Sequence, residues 1–432
     1  MFARVMLIAM LAMTACTVGC EKTDHENIDK WVRTQNGPAK LRKALADDSV
    51  TSELAAHAAV NLVKRGEDPA VYAAFEAMPP GRRAEVIAQL APRLWEIARV
   101  EAEQELPGAP QVAAKDALVR VRKWADEPTR QMIDKYLTDW YCVASYEDRA
   151  KGGANLGAGV LRLIGPPAAP KLISVANSVI AAPGQTTVKN RIGDELLLGL
   201  SVTGSPDAVK YVLDIAKLDR GDATLPQRAM SALFKAYVGP DGLFEVVAPG
   251  ALVPNLPTIV AIAKDEAQDG RVANDAVALI RAVGAPDCLP PLVGMVGASH
   301  RNADFKIVAA NNALKCGGTA AILDVIRALP AAGAYTKDQV AGMAQAIAAM
   351  SPHEGAQAAA RALLADRSTV GKWVGIEVLA AMKSPDDTPR IAALITSRER
   401  LVGYWGEQAG QGKGDPTLGQ RAKELSVELG GK

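Results

Sequence analysis

At 432 residues the chain is long enough to bury a large core, and 49 Lys and Arg against 48 Asp and Glu leave a net charge of +1. That balance excludes the strong field that nucleic acid or acidic lipid would require. Apolar residues reach 49% while aromatics stay at 4%, so close-packed, Ala-rich helices are expected rather than a large aromatic core. Five cysteines form no obvious disulfide framework.

The chain opens on Met1-Phe2-Ala3-Arg4, an apolar run from Val5 to Ala15, and then Cys16 and Cys20. One positive charge, about ten apolar residues and a small residue before cysteine read as an export signal. The run is about half the roughly 20 residues that a membrane-spanning helix needs. Met13-Thr14-Ala15-Cys16 resembles the lipobox of bacterial lipoproteins, and Thr17-Val18-Gly19-Cys20 is a second match. Cys16 is the preferred lipidation site because it follows the apolar run directly, with Cys20 as the alternative. An ordinary cleaved signal with a soluble product also fits. The lipoprotein resemblance implies a bacterial cell envelope. Neither Thr17 nor Glu21 is the aspartate associated with inner-membrane retention, so the outer membrane facing the periplasm is preferred.

Residues 1–20 are therefore read as the signal and lipobox region, and 21–36 as a tether. A phrase then recurs: an apolar helix, a glycine or substitute, a small residue, a proline and a second apolar helix. It runs Gly66-Glu67-Asp68-Pro69, Gly165-Pro166-Pro167, Gly204-Ser205-Pro206 and Gly284-Ala285-Pro286. From Gly284 it returns at Gly317, Met350 and Lys383, 33 residues apart each time. Such a period belongs to stacked helix pairs. Glycine ends the first helix in a left-handed conformation, and proline suits the first position of the second. Ser351-Pro352-His353-Glu354 reads as a capping box. Spacings such as Ala276, Leu279, Ile280 and Val283 are helical. The remaining divisions are irregular helical repeats over 37–150, regular repeats over 151–402, and a loop with a capping helix over 403–432. In the last, Asp415 is the expected cap, with Leu418, Ala422, Leu425 and Leu429 on one face.

These phrases resemble HEAT and HEAT-like repeats across most of 37–400, best over 155–216 and 270–395. The chain as a whole is similar to the lipidated HEAT-repeat proteins of bacteria. The resemblance implies an all-α, right-handed α-solenoid of antiparallel helix pairs, with a concave binding surface formed mainly by the second helix of each pair. It names a fold and no activity. Some HEAT-like enzymes hold two irons through four His-Glu pairs; here only His25-Glu26 and His353-Glu354 occur, one in the tether and one in the expected capping box. No nucleophile elbow or phosphate-cradling loop is present. The expectation is a protein that is not an enzyme, with no catalytic residue, metal or cofactor. It would be a monomeric, membrane-anchored scaffold that binds another envelope protein and no nucleic acid. A carrier of peptide, lipid or glycan, or an accessory subunit of an envelope enzyme, are the alternatives.

Two groups of side chains stand out. Cys288 and Cys316 flank the turns of successive repeats, which at helix-packing distance are about 10 Å apart, so free thiols are expected although export would permit a bond. Trp124, Tyr136, Trp140, Tyr141 and Tyr146 crowd into the stretch that lacks the repeat phrase. They are either a core cluster or, since Trp and Tyr dominate interface hot spots, the candidate partner-binding residues.

Overall fold

The computed structural model describes residues 22–99, 106–181, 192–218, 224–239, 245–298, 302–331, 333–406 and 414–430. Cys16 and Cys20, with the whole leader, lie outside these residues, as does most of the 403–414 loop. Among the described residues the chain is all-α, built of antiparallel helix pairs, and its one β feature is an isolated bridge between Arg400 and Thr417. It divides into two compact units, Met1–Gln185 and Thr186–Lys432.

Unit 1 contains α1 (His25–Trp31), α2 (Gly37–Ala46), α3 (Ser52–Lys64), α4 (Asp68–Ala77), α5 (Pro80–Ala98), α6 (Ala109–Val121), α7 (Glu127–Tyr141), α8 (Tyr146–Arg149), α9 (Gly157–Ile164) and α10 (Ala169–Ala181). The tether expected over 21–36 is corrected by α1, which occupies His25–Trp31. Asp24 caps α1 by accepting from the Asn27 amide, and Ile28 and Trp31, one turn apart, are buried. That burial against α2 and α3 orders a segment that its charges alone would leave extended.

Unit 2 contains α11 (Asp194–Val202), α12 (Pro206–Ala216), α13 (Thr224–Tyr237), α14 (Leu256–Lys264), α15 (Gly270–Val283), α16 (Leu289–Val296), α17 (Ala303–Gly317), α18 (Ile322–Ala328), α19 (Lys337–Ala348), α20 (His353–Leu364), α21 (Thr369–Ala381), α22 (Thr388–Ala392) and α23 (Leu418–Glu428). Helices α11, α13, α15 and α17 pack side by side, and the intervening helices pack behind them. Alanines on the apolar stripes, such as Ala273, Ala276, Ala309, Ala310 and Ala313, are buried where neighbouring helices meet. The small side chain is what permits that approach.

The turn chemistry follows the repeat phrase. Gly66, Gly165, Gly204 and Gly284 all have positive φ. In the later repeats Gly318 takes the left-handed position instead of Gly317, and Lys383 adopts it at φ 50° without glycine. Two capping expectations are corrected. Pro352, which has no side-chain oxygen, occupies the cap of α20, so Ser351 and Glu354 form no capping box. Thr417, not Asp415, caps α23, in a capping box with Gln420; Asp415 instead accepts the Gly403 amide at 3.0 Å.

The free-thiol expectation is also corrected: Cys288 and Cys316 are disulfide-bonded, with Cα atoms 6.4 Å apart. Cys288 precedes α16 and Cys316 lies in the last turn of α17. These two helices are antiparallel neighbours, so their joined ends meet at helix-packing contact rather than a full repeat apart. Cys142 is buried and free, and burial pushes its thiol up to about 12. Alkylation of denatured, unreduced protein should therefore label Cys142 and spare Cys288 and Cys316. Reducing the bond opens a 28-residue separation. By the loop-entropy relation that costs about 3.6 kcal/mol, which should lower Tm by about 7–14 °C. Labelling of both cysteines before reduction, in mass spectrometry, would refute the bond.

Candidate protein-binding site

The aromatic stretch of unit 1 is divided between core and surface. Trp140, Tyr141 and Tyr146 are no more than 1% exposed, which corrects their candidacy as partner contacts. Trp140 donates to the Ala98 carbonyl and packs edge-on against Tyr141, with ring centroids 4.7 Å apart. Trp124 and Tyr136 are only half-buried. Tyr136 stacks on Trp95 at 5.0 Å, and Trp124 lies under the Lys123 ammonium at 4.1 Å and beside Phe75. Both are thus occupied by neighbours within the unit.

The buried aromatics surround a charge. Lys115 has no exposed side-chain surface. Its Nζ donates to Asp116 at 2.6 Å and to the Gly152 and Asn155 carbonyls at 2.9 Å each. It also lies 5.2 Å from the Trp140 ring and 5.6 Å from Tyr141. Asp116 accepts the Ala154 and Asn155 amides in return, and Tyr141 donates to the Asn155 carbonyl at 2.9 Å. Burial lowers the Lys115 pKa, opposed by Asp116. Gly153 turns the loop at φ +84°, where an added Cβ would sit 2.4 Å from Asp116. Every donor and acceptor here is turned inward, so the cluster pins the 152–155 loop and presents nothing to a partner. Its one sequence signal was a lysine set among Ala114, Ala117, Leu118 and Val121, on the buried stripe of α6.

An open recess lies in unit 2, on the layer of α11, α13 and α15. It encloses about 230 Å³ and is lined by Asp194, Glu195, Gln227, Arg228, Ser231, Lys235 and Arg271, with Leu198 and Ala232 at its floor. These helices precede the glycine turns, so the recess is not on the second helices where the surface was expected. Arg228 is already engaged, with the Asp194 carboxylate and the Ile192 carbonyl. Arg271 is exposed and forms no ion pair among the described residues. One turn further along α15, Asp275 is half-buried, and burial raises its carboxyl pKa, with Arg271 opposing. Asp269, at the start of α15, is held low chiefly by the Arg271 backbone amide and by Gln227. The recess thus offers the Arg271 guanidinium, with the half-buried Asp275 carboxylate one turn away on the same helix, a pattern that suits complementary charges. Sequence reasoning missed all of these residues. They are ordinary surface types, and Asp194, Arg228 and Arg271 become neighbours only when three helices pack.

No family profile matches the chain, and no curated protein matches it. Among solved structures, human deoxyhypusine hydroxylase in complex with glycerol is similar over 80% of this chain and 96% of its own, at 11% identity and a TM-score of 0.23. A likeness of that size transfers neither activity nor site. The expectation that this chain is not an enzyme is corrected: the similar structure is itself an enzyme, and at this distance it does not show this chain to be one. Among the described residues no cluster of three or more His, Cys, Asp or Glu side chains is arranged to hold a metal ion.

Proposed function

We propose that the protein is a lipid-anchored scaffold of the bacterial cell envelope that docks a folded protein partner on the α11–α13–α15 recess. The observation that carries this reading is the recess itself: mixed in charge, with Arg271 unpaired, and with charged and polar side chains set around Leu198 and Ala232. Its volume, about 230 Å³, lies below the roughly 300–1,000 Å³ of small-molecule sites. An acidic side chain of a partner protein fits Arg271, while Asp275 lies one turn away for a basic one. The Cys288–Cys316 bond supports export, since structural disulfides persist in oxidising compartments. None of the described helices is long and apolar enough to cross a membrane. In this reading attachment falls to the acylated leader cysteine, Cys16 or Cys20, and the outer membrane facing the periplasm remains the preferred address.

A photo-crosslinking residue at Ser231, tested in intact cells, should capture one envelope protein in the membrane fraction. The same probe at exposed Lys210 on α12 should not. Arg271→Glu should reduce the Ser231 crosslink about tenfold or more, the scale of reversing one interfacial charge, and leave Tm unchanged because the side chain is exposed. Equal capture from Ser231 and Lys210, or capture indifferent to Arg271→Glu, would refute the recess as the docking site. Recovery of a lipid or glycan in place of a protein would transfer the recess to the carrier alternative.

A further inference from the structure

Two histidines of unit 1 meet away from any feature used above. Helices α1 and α3 each carry a histidine and a carboxylate one turn apart: His25 and Asp29 on α1, Glu53 and His57 on α3. The pairs cross between the helices. His57 Nε2 lies 2.8 Å from Asp29, and His25 Nε2 lies 3.4 Å from Glu53. The two Nδ1 atoms then face each other at 2.8 Å. The carboxylates are themselves held, Asp29 by the Asn61 amide and Glu53 by Arg93.

The contact between the two Nδ1 atoms is either a hydrogen bond, with the tautomer of one ring placing its proton there, or the seat of a cation. The surroundings favour the second: metal-ligating histidines almost always turn their other nitrogen to a carboxylate or carbonyl, and here both rings are turned that way.

The geometry points to a binding site for a divalent transition-metal cation of the zinc, nickel or copper class, ligated by Nδ1 of His25 and Nδ1 of His57. Imidazole nitrogen suits these ions. Zinc–nitrogen bonds of about 2.0–2.1 Å place tetrahedral ligands roughly 3.3 Å apart, so one ring must retreat by about 0.5 Å. His25 has that freedom, with 49% of its side chain exposed against 13% for His57. Water completes the coordination. The ion ties the first described helix of the chain to the body of unit 1. This site is separate from any His-Glu arrangement: Glu26 pairs with Lys30 at 2.7 Å, and His353 begins α20 in unit 2.

The test is calorimetric titration of the EDTA-stripped full chain with zinc chloride, in which one zinc per chain should bind. His25→Ala removes a ligand at an exposed position and should abolish binding while the circular dichroism and Tm of the apo chain persist. Asp29→Asn keeps both ligands and should weaken binding by about 10–100-fold. His353→Ala should change nothing. Absence of a saturable heat in the wild-type chain would overturn the site. So would binding that survives both His25→Ala and His57→Ala.

Discussion

Lys115→Met should destabilise unit 1 by about 3 kcal/mol, because the thioether fills the volume of the lysine stem but satisfies none of its acceptors. The buried ammonium now serves Asp116 and the carbonyls of Gly152 and Asn155. Asn155 keeps the Tyr141 hydroxyl and Asp116 keeps two backbone amides, so the Gly152 carbonyl suffers most. The cation over Trp140 and Tyr141 is lost as well, worth about 0.5–1 kcal/mol or more when desolvated. A melting scan should show a drop of about 6–12 °C. Hydrogen exchange should quicken at Ala154 and Asn155 before the rest of the unit. If both stay as in the wild type, the ammonium is dispensable and the loop is held by other contacts.

A comparable loss is expected at the other end of the chain. Arg421 on α23 meets Glu377 on α21 through two parallel hydrogen bonds of 2.7 and 3.0 Å, and both residues are buried. Trp373 donates to the same carboxylate at 3.0 Å. Arg421→Met leaves Glu377 ionised in the interior with only the indole as partner, a change that costs about 3–5 kcal/mol. Its readout is release of α23, seen as faster exchange over residues 418–428 together with a lower Tm. The double variant Glu377→Met, Arg421→Met removes both charges and should recover at least half of the loss, since a buried pair replaced by apolar groups is often neutral. A double variant no better than Arg421→Met alone would show that packing of the arginine stem, not the charge pair, holds the terminal helix.

The two unit-specific pairs differ in how far they could be anticipated. Lys115 interrupts an apolar stripe and so carries a signal. Arg421 and Glu377 sit 44 residues apart with nothing to link them. The same distinction runs through the cysteines. Cys288 and Cys316 were legible as sharing an edge, but the distance between them depended on whether their helices were direct neighbours or a repeat apart. The aromatic stretch was legible as a cluster, whereas its division into buried Trp140, Tyr141 and Tyr146 and half-buried Trp124 and Tyr136 was not. That division follows from which faces α5, α6 and α7 turn toward one another.

By itself the sequence determined the helical repeat and its turns. Helix periodicity, the glycine turn and the proline after it are set by contacts within a few residues along the chain, so they can be read in order. Tertiary structure decided what the surface offers. Asp194, Arg228 and Arg271 line one recess, and His25 and His57 share one contact, because helices distant in sequence pack side by side. Which side chain remains exposed, and which charge lacks a partner, depends on the neighbour that covers it, and the neighbour is fixed only when the repeats stack.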